Sequence, residues 1–144
     1  MFPRQIQEKL WILGNEYFHV YLMKGTSASA LVEAGISATA DLLLEQMSSL
    51  GVCPDFIIVT HPHSDHVTGL PYLKLAFPAA KVIAGKGADL FLQHPKAESA
   101  VIREDTHMTE SLASIFSLSN RRVITSVPSL SGCAVVNDGD EIDL

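Results

Sequence analysis

Short runs of β-forming residues separated by polar turns dominate the first third of the chain. The runs Lys9–Leu13 and Tyr17–Met23 are rich in apolar, β-branched and aromatic residues, and Gly14-Asn15-Glu16 separates them. A third run of the same kind spans Ser27–Gly35. Three short strands that follow one another in this way predict an antiparallel meander.

The hydrophobic pattern then changes to an alternation of helices and strands. The segment Ser37–Gly51 has apolar residues at helical spacing, with Ser37 as a candidate N-cap and Gly51 as a stop. Phe56–Thr60 is a short apolar run of the type found in strands that are buried on both faces. Further on, the pattern predicts a helix over Thr68–Phe77, a strand over Lys81–Gly85 and a helix over Lys86–Gln93. This order predicts parallel strands joined by right-handed crossovers.

The last third of the chain is predicted to be a helical region followed by strand and turn. Pro95–Ser119 has a helical pattern with a break expected near Asp105. The end of the sequence, Ala134–Leu144, resembles a strand, an Asn-Asp-Gly turn and the start of another strand. No repeat or linker divides residues 1–144, so we expect one domain of the α/β (α+β) class.

Composition and charge exclude several classes of function. The 144 residues are 47% hydrophobic and 18% charged, which is typical of a globular domain. The net charge of −6 without any basic stripe argues against a nucleic-acid partner. No run has the length of a membrane span or the apolar core of a signal peptide. Cys53 and Cys133 are too few for a disulfide framework, so we expect buried free thiols and a cytoplasmic location.

The densest group of chemically active residues is His61, His63, Asp65 and His66. It follows a predicted buried strand and precedes a predicted helix, which places it at the edge of the sheet where ligands bind. Side chains two apart in an extended segment point the same way, so His61 and His63 are expected to converge on one point and Asp65 and His66 on a second. Imidazole and carboxylate donors together suit zinc, iron or manganese. The alternative is a solvated loop in which Asp65 only caps the next helix.

The segment "THPHSDHVTGL" resembles the HxHxDH signature of the metallo-β-lactamase superfamily. The resemblance extends to the opening meander, to Glu33-Ala34-Gly35 at a strand end, and to "DGD" near the end of the sequence. It implies an αββα sandwich and a hydrolase in which metal-activated water attacks an ester, thioester, lactone or amide of a small-molecule substrate. By resemblance, His61 and His63 bind one zinc ion, while Asp65 and His66 bind a second and Asp65 also steers a proton, as a catalytic residue. Iron or manganese remain alternatives to zinc.

The sequence departs from the family pattern in two places. Glu33 stands where the family usually has aspartate, and we expect Glu33 and Thr60 to support the metal loop from behind, although Glu33 facing solvent is the alternative. The third histidine and the bridging aspartate of the family are not found after "DGD". We therefore expect the amino-terminal half of a longer enzyme, poorly active alone, that self-associates or pairs with a carboxyl-terminal half.

The other histidines are weaker candidates for the metal site. His19 is expected at a half-buried strand position, and His94 at a helix end where its ring meets the last carbonyl groups. His107 is kept as a candidate extra ligand, because a segment after the metal loop is able to reach the site.

Two other functions remain open at this point. The segment after the metal loop is also similar to flavodiiron proteins, which reduce oxygen or nitric oxide. Those usually carry glutamate at the position of His63, so His63 favours hydrolysis. The third alternative is a non-catalytic fragment that keeps the fold and part of the ligand set.

Overall fold

A computed structural model of the chain describes residues 1–118 and 120–144. Within these residues seven strands form one sheet, in the same order as in the chain. The strands are β1 (Arg4–Gln7), β2 (Leu10–Gly14), β3 (His19–Lys24), β4 (Ser29–Val32), β5 (Phe56–Val59), β6 (Lys81–Gly85) and β7 (Ala134–Val136). A 3₁₀ turn (Ser37–Thr39) precedes the helices α1 (Ala40–Ser49), α2 (Ser64–Val67), α3 (Leu70–Ala76), α4 (Ala88–Leu92) and α5 (Pro95–Ile115).

The direction of pairing changes once across the sheet. Strands β1 to β4 are antiparallel, with Tyr21 opposite Val32 in the β3–β4 pair. Strands β4 to β7 are parallel, with Val32 opposite Ile58 in the β4–β5 pair. The predicted meander and the predicted β-α-β-α order are therefore confirmed. Strand β1 was not predicted, because its sequence RQIQ is exposed throughout and lacks an apolar face.

The helices pack on one face of the sheet. Strand β3 alternates between exposed and buried positions, and its inward residues Val20 and Leu22 join one apolar cluster with Leu43 and Met47 of α1. The cluster also contains Leu13, Leu31, Ile57, Val59, Leu70, Leu73, Leu92 and Val101. Burial of these side chains stabilises the helix–sheet layer, at roughly 1.5–3 kcal/mol for each large apolar residue. The opposite face of β3 leaves Tyr21 38% and Met23 40% exposed.

Two predicted helices differ from the structure at their ends. The segment predicted to begin at Ser37 starts with the 3₁₀ turn, and α1 begins only at Ala40. Ser37 is not a side-chain cap, because its hydroxyl lies 2.6 Å from Oδ2 of Asp105. The helix predicted over Thr68–Phe77 is α3, which begins only at Leu70, whereas the short helix α2 lies before it in a segment predicted to be loop.

Helix α5 is more regular than the sequence pattern predicts. It is continuous over Pro95–Ile115, so the break expected near Asp105 was wrong. Asp105 lies on the inward face, where its carboxylate is fully buried and hydrogen-bonded. The predicted helix end at Ser119 lies outside the described residues. His94 directly follows the C-cap of α4, so its place at a helix end is confirmed. Its ring does not meet the last carbonyl groups as predicted, because Nδ1 accepts from the Lys96 amide at 3.3 Å at the N-cap of α5.

The end of the chain folds back as a turn rather than a hairpin. The amide of Asn137 donates to Oδ2 of Asp140 at 2.7 Å, and Gly139 has a φ of 86°, which glycine accommodates without strain. The strand predicted after this turn was wrong, because residues 141–144 are described and have no regular secondary structure. The carbonyl of Leu144 accepts from the Thr26 amide at 3.1 Å.

The cysteines are free, as predicted, but they are not buried. Cys53 is exposed and Cys133 is partly exposed. Burial and, to a smaller extent, the charge of Asp89 raise the pKa of the Cys133 thiol. The described part of the chain contains no helix with the length and apolar content needed to span a bilayer.

Candidate metal centre

Two loops meet at the carboxyl edge of the parallel strands. Strand β4 is followed by Glu33–Gly35 and its neighbour β5 by the loop that holds the histidine cluster. The Ala34 amide donates to the carbonyl of His66 at 2.9 Å, and the Gly69 amide donates to the carbonyl of Gly35 at 3.0 Å. A Cβ on Gly69 would lie 2.1 Å from the Ala34 carbonyl oxygen, so this close approach requires glycine. The backbone therefore locks the two loops together.

Three side chains of these loops form a group with metal-ligand geometry. Glu33, His61 and His66 each offer one ligand atom, and these atoms all lie within 4.8 Å of one another. The rings of His61 and His66 are 3.9 Å apart between centroids. The sequence paired His61 with His63 and Asp65 with His66, whereas this group joins His61 to His66 and includes Glu33, which was predicted to support the loop from behind.

His63 and Asp65 lie beside this group but are not members of it in the described residues. The ring centroid of His63 is 4.7 Å from that of His61, so the two rings are in contact. One oxygen of Asp65, Oδ2, lies 3.2 Å from Nε2 of His66. This spacing between an imidazole nitrogen and a carboxylate oxygen is compatible with two donors that face the same ion.

Glu33 contacts both histidines of the group, directly or through Thr60. Its carboxylate accepts a hydrogen bond from the Thr60 hydroxyl, and that hydroxyl oxygen lies 2.9 Å from Nδ1 of His61. The other carboxylate oxygen lies 3.2 Å from Nδ1 of His66. The latter contact is within ion-pair distance without hydrogen-bond geometry, so Nδ1 of His66 is a buried polar atom with no hydrogen-bond partner in the described residues.

The electrostatics of the cluster favour neutral imidazole at His61. Burial lowers the pKa of His61 below its ordinary value of 6.5, and the nearby rings of His66 and His63 lower it further. A neutral ring is the form that binds a metal ion, because the ligand nitrogen must be free of a proton.

The donor set fits a transition metal. It combines two imidazole rings with one carboxylate, and Nδ1 of His66, 3.2 Å from this carboxylate, has no hydrogen-bond partner among the described residues. Such mixed nitrogen and oxygen sites suit zinc, iron and manganese better than calcium or magnesium.

The structure places His107 apart from this group. It is exposed on α5 and lines a cavity of about 440 Å³ together with Asp65, Arg103, Glu104 and Met108. His19 is exposed on β3 beside the ring of Phe2, not half-buried as expected.

Open space adjoins the other side of the cluster. A cavity of about 380 Å³ is lined by His61 and His63 and by Lys86, Ala88 and Phe91 from the start of α4 and the loop before it. A larger cavity of about 560 Å³ lies between α3 and residues 128–134, and it is lined by none of the clustered histidines. The smaller cavity therefore borders the cluster at His61 and His63, and the cavity beside His107 borders it at Asp65.

Sequence reasoning missed the contacts that α5 makes with the metal loop. The hydroxyl of Ser64 donates to Oε2 of Glu104 at 2.6 Å, and Oγ1 of Thr68 lies 2.5 Å from Oδ1 of Asp105. No local sequence pattern marks either acid for this role, because Glu104 lies 40 positions after Ser64 and Asp105 lies 37 positions after Thr68.

A sheet whose helices pack on one face, with histidines and carboxylates at the carboxyl edge of its parallel strands, defines a class of α/β metal-binding proteins. The family model of the metallo-beta-lactamase superfamily matches residues 16–138. The chain belongs to this superfamily, as the HxHxDH motif predicted.

Curated relatives match part of the chain. A hydroxyacylglutathione hydrolase of Francisella tularensis subsp. holarctica is 31% identical over 87 residues, which cover 60% of this chain and 33% of the relative. A probable hydroxyacylglutathione hydrolase of Schizosaccharomyces pombe is 24% identical over 139 residues, which cover 88% of this chain and 54% of the relative. The chain thus spans about a third to about half of the length of these relatives.

Solved structures match the whole chain. A metallo-beta-lactamase of Cronobacter sakazakii with the HARLDQ motif has a TM-score of 0.72 at 21% identity, covering 100% of this chain and 49% of that one. BJP-1, a subclass B3 metallo-beta-lactamase of Bradyrhizobium japonicum, has a TM-score of 0.70 at 20% identity, covering 100% of this chain and 48% of that one. At this identity the likeness establishes the fold alone.

Proposed function

We propose that the protein is a metal-dependent hydrolase that uses a metal-activated water. The observation that carries the proposal is the convergence of the loop donors in a chain of this superfamily: the ring of His61 is 3.9 Å from that of His66 and 4.7 Å from that of His63 between centroids, with a Glu33 carboxylate oxygen within 4.8 Å of ligand atoms of His61 and His66. A bound metal ion would lower the pKa of a water molecule and polarise the bond under attack. Zinc is the proposed metal, and iron or manganese are the alternatives.

Each residue of the loop has a proposed role. His61 and His63 hold one ion, and Asp65 with His66 holds a second. The contact of 3.2 Å between Asp65 Oδ2 and His66 Nε2 supports the second pair, because it brings the two donors side by side. Asp65, 45% exposed at its side chain, also accepts and releases a proton.

Glu33 and Thr60 contact the histidine rings and are proposed to orient them. Thr60 holds Nδ1 of His61, so that Nε2 of this ring is the nitrogen left for a metal ion. The Glu33 carboxylate faces Nδ1 of His66 and orients that ring in the same way. In this proposal Glu33 supports both rings from behind.

The proposed substrate is a small thioester. Relatives that are named hydroxyacylglutathione hydrolases support this choice over an ester, lactone or amide. The cavity beside His61 and His63 has room for a small molecule, and Lys86 and Phe91 give it a cation and an apolar wall. These features suit an acyl group that carries both an apolar part and a polar or negatively charged part.

Metal analysis tests the proposed site. We expect about one transition metal ion for each 144-residue chain purified without chelator, and loss of this metal in the double variant His61→Ala, His63→Ala. The control is His19→Ala, which removes an exposed histidine of β3 and is expected to keep the metal. Wild-type protein without metal, also after incubation with zinc, would contradict the proposal.

Hydrolysis of a hydroxyacylglutathione thioester by the natural gene product tests the proposed reaction. We expect turnover that a chelator abolishes and that zinc restores, and we expect the double histidine variant to lose it. The 144-residue chain alone is expected to turn over slowly or not at all, because it supplies few metal ligands. A natural gene product that binds metal but leaves the thioester intact would overturn the substrate and leave the metal site standing.

A further inference from the structure

Helix α5 contacts both ends of the short helix α2 through two adjacent acids. At the first residue of α2, the Ser64 hydroxyl donates to Oε2 of Glu104 at 2.6 Å. At its C-cap, Oγ1 of Thr68 lies 2.5 Å from Oδ1 of Asp105. Between these two contacts α2 carries Asp65 and His66, so α5 borders the part of the loop that presents the second pair of donors.

Helix α2 has little stability of its own. It is four residues long, and no side chain caps its amino end within the described residues. Its backbone contacts include the Thr68 amide with the Ser64 carbonyl at 3.2 Å. A single helical turn is unstable in isolation, because the entropy cost of nucleation exceeds the gain from its few hydrogen bonds. The orientation of α2 therefore depends on the elements that touch it.

Asp105 fixes the position of α5, so that α5 is able to restrain α2. Its carboxylate is fully buried and accepts from the Ser37 amide at 3.1 Å and from the Ile124 amide at 3.0 Å. The Ser37 hydroxyl lies 2.6 Å from the same carboxylate. Asp105 thus ties α5 to the 3₁₀ turn and to the segment after α5, in addition to α2.

Glu104 differs from its neighbour because it is exposed. Its removal leaves no buried cavity, whereas removal of Asp105 would leave several buried donors without an acceptor. The contact of Glu104 with Ser64 can therefore be tested without disrupting the fold.

We propose that Glu104 is a positioning residue of the metal site, which holds the amino end of α2 so that Asp65 and His66 face a common ion. This inference rests on the proposed function for its consequence at the metal, but its structural part, the restraint of α2, does not require a metal. Glu104 acts through Ser64 and has no role as a ligand.

Five variants of the 144-residue chain test this proposal, four with single changes and the double variant Ser64→Ala, Glu104→Ala. Glu104→Ala removes the acceptor, and Glu104→Gln removes the charge but keeps an oxygen that accepts from Ser64. Ser64→Ala removes the donor, and Glu110→Ala is the control, an exposed acid of the same helix. The readouts are the zinc dissociation constant and, without added metal, the hydrogen-exchange rates of the His66 and Thr68 amides.

We expect Glu104→Ala to weaken zinc binding about tenfold and to speed the exchange of both amides, with a melting temperature close to that of the wild type. Ser64→Ala is expected to have the same effect, and the double variant no more than either single one. Glu104→Gln and Glu110→Ala are expected to match the wild type.

Unchanged amide exchange in Glu104→Ala would overturn the proposal. It would also be overturned if Glu104→Gln weakened zinc binding and sped amide exchange as much as Glu104→Ala does, because the charge rather than the hydrogen bond would then be responsible. A wild-type chain that binds no zinc would contradict the proposed function instead. The exchange rates would still decide whether Glu104 restrains α2.

Discussion

Glu33 holds a carboxylate oxygen 3.2 Å from Nδ1 of His66 while its own backbone has a φ of 76°. A residue with a side chain in this left-handed region costs about 1 kcal/mol relative to glycine. The side chain is nonetheless buried under the metal loop, where it also accepts from Thr60. Residue 33 therefore has a strained backbone, and its carboxylate lies behind the rings of His61 and His66.

Two substitutions at Glu33 separate these effects. Glu33→Ala and Glu33→Gly both remove the carboxylate, so both are expected to weaken zinc binding by about 10- to 100-fold. Glu33→Gly also relieves the left-handed backbone, so it should be more stable to urea than Glu33→Ala by about 1 kcal/mol. Equal zinc affinity in wild type and both variants would contradict the role of the carboxylate.

Gly69 is the point where the two loops of the site are closest. Because a Cβ there would lie 2.1 Å from the carbonyl oxygen of Ala34, Gly69→Ala is expected to lower the free energy of unfolding by about 3 kcal/mol and to weaken zinc binding. The control is Gly85→Ala, whose Cβ would meet the Thr60 carbonyl oxygen at an ordinary 3.7 Å. Urea unfolding measures the stability of both variants. An equal loss of unfolding free energy in the two would show that the contact with Ala34 is not responsible.

Asp41 pairs with Arg122 across the surface between α1 and the segment after α5. Nη2 of Arg122 lies 2.8 Å from Oδ1 of Asp41, and the guanidinium lies 4.7 Å above the ring of Tyr72. The hydrogen bond from Arg122 holds the pKa of Asp41 below its ordinary value of 3.8, although partial burial opposes this shift. Both partners are partly exposed, so solvent and salt screen the pair.

The stability that this pair contributes depends on pH. A lowered pKa in the folded state stabilises the protein above the unfolded pKa, and this stabilisation is lost as the pH falls through the folded pKa. Asp41→Asn is therefore expected to cost about 0.5–1 kcal/mol at neutral pH, and this cost should disappear as the pH falls below the ordinary aspartate value of 3.8 and through the lowered pKa of Asp41. Urea unfolding across this pH range measures the difference, with the exposed Asp138→Asn as control. A cost that persists in acid would mean that the charge of Asp41 is not its source.

The sheet face opposite the helices carries exposed apolar side chains, so we expect the chain to self-associate. Tyr21 and Met23 point away from the helices and are 38% and 40% exposed on neighbouring positions of this face. We expect light scattering on a size-exclusion column to show a mass that rises with concentration, because apolar surface promotes association. Tyr21→Lys with Met23→Lys should reduce this rise. The control Leu90→Lys, which changes a side chain that is 74% exposed on α4, should leave the rise unchanged. If the control reduced the rise as much as the double variant does, the contact between copies would not lie on the face of Tyr21 and Met23.

Local signals in the sequence were sufficient for most of the fold. The run Phe56–Thr60 and the strand Lys81–Gly85 were predicted almost to the residue, because continuous apolar runs bounded by proline or glycine leave few alternatives. The break expected in α5 shows where this reasoning fails. Asp105 resembles a helix interruption by its polarity, but tertiary contacts with Ser37 and Ile124 satisfy its carboxylate inside the fold.

The site was predictable in part for a similar reason. The motif places four donors within six residues, so their proximity follows from the covalent chain. The approach of Glu33 to His66 depends on the pairing of β4 with β5, and the contact of Glu104 with Ser64 depends on how α5 crosses the sheet edge. Neither geometry is encoded in a local pattern, because both require the tertiary fold.

In the described sheet each strand lies next to the strand that precedes it in the chain. A nascent chain that leaves the ribosome therefore meets a partner for every new strand in what has already been synthesised, although β7 follows β6 only after residues 86–133. Such sequential growth shortens the loops that must close at each step and limits the time for which a bare edge is open to other chains. By this route the loop from Thr60 to His66 acquires its supporting Glu33 as soon as β5 has docked beside β4.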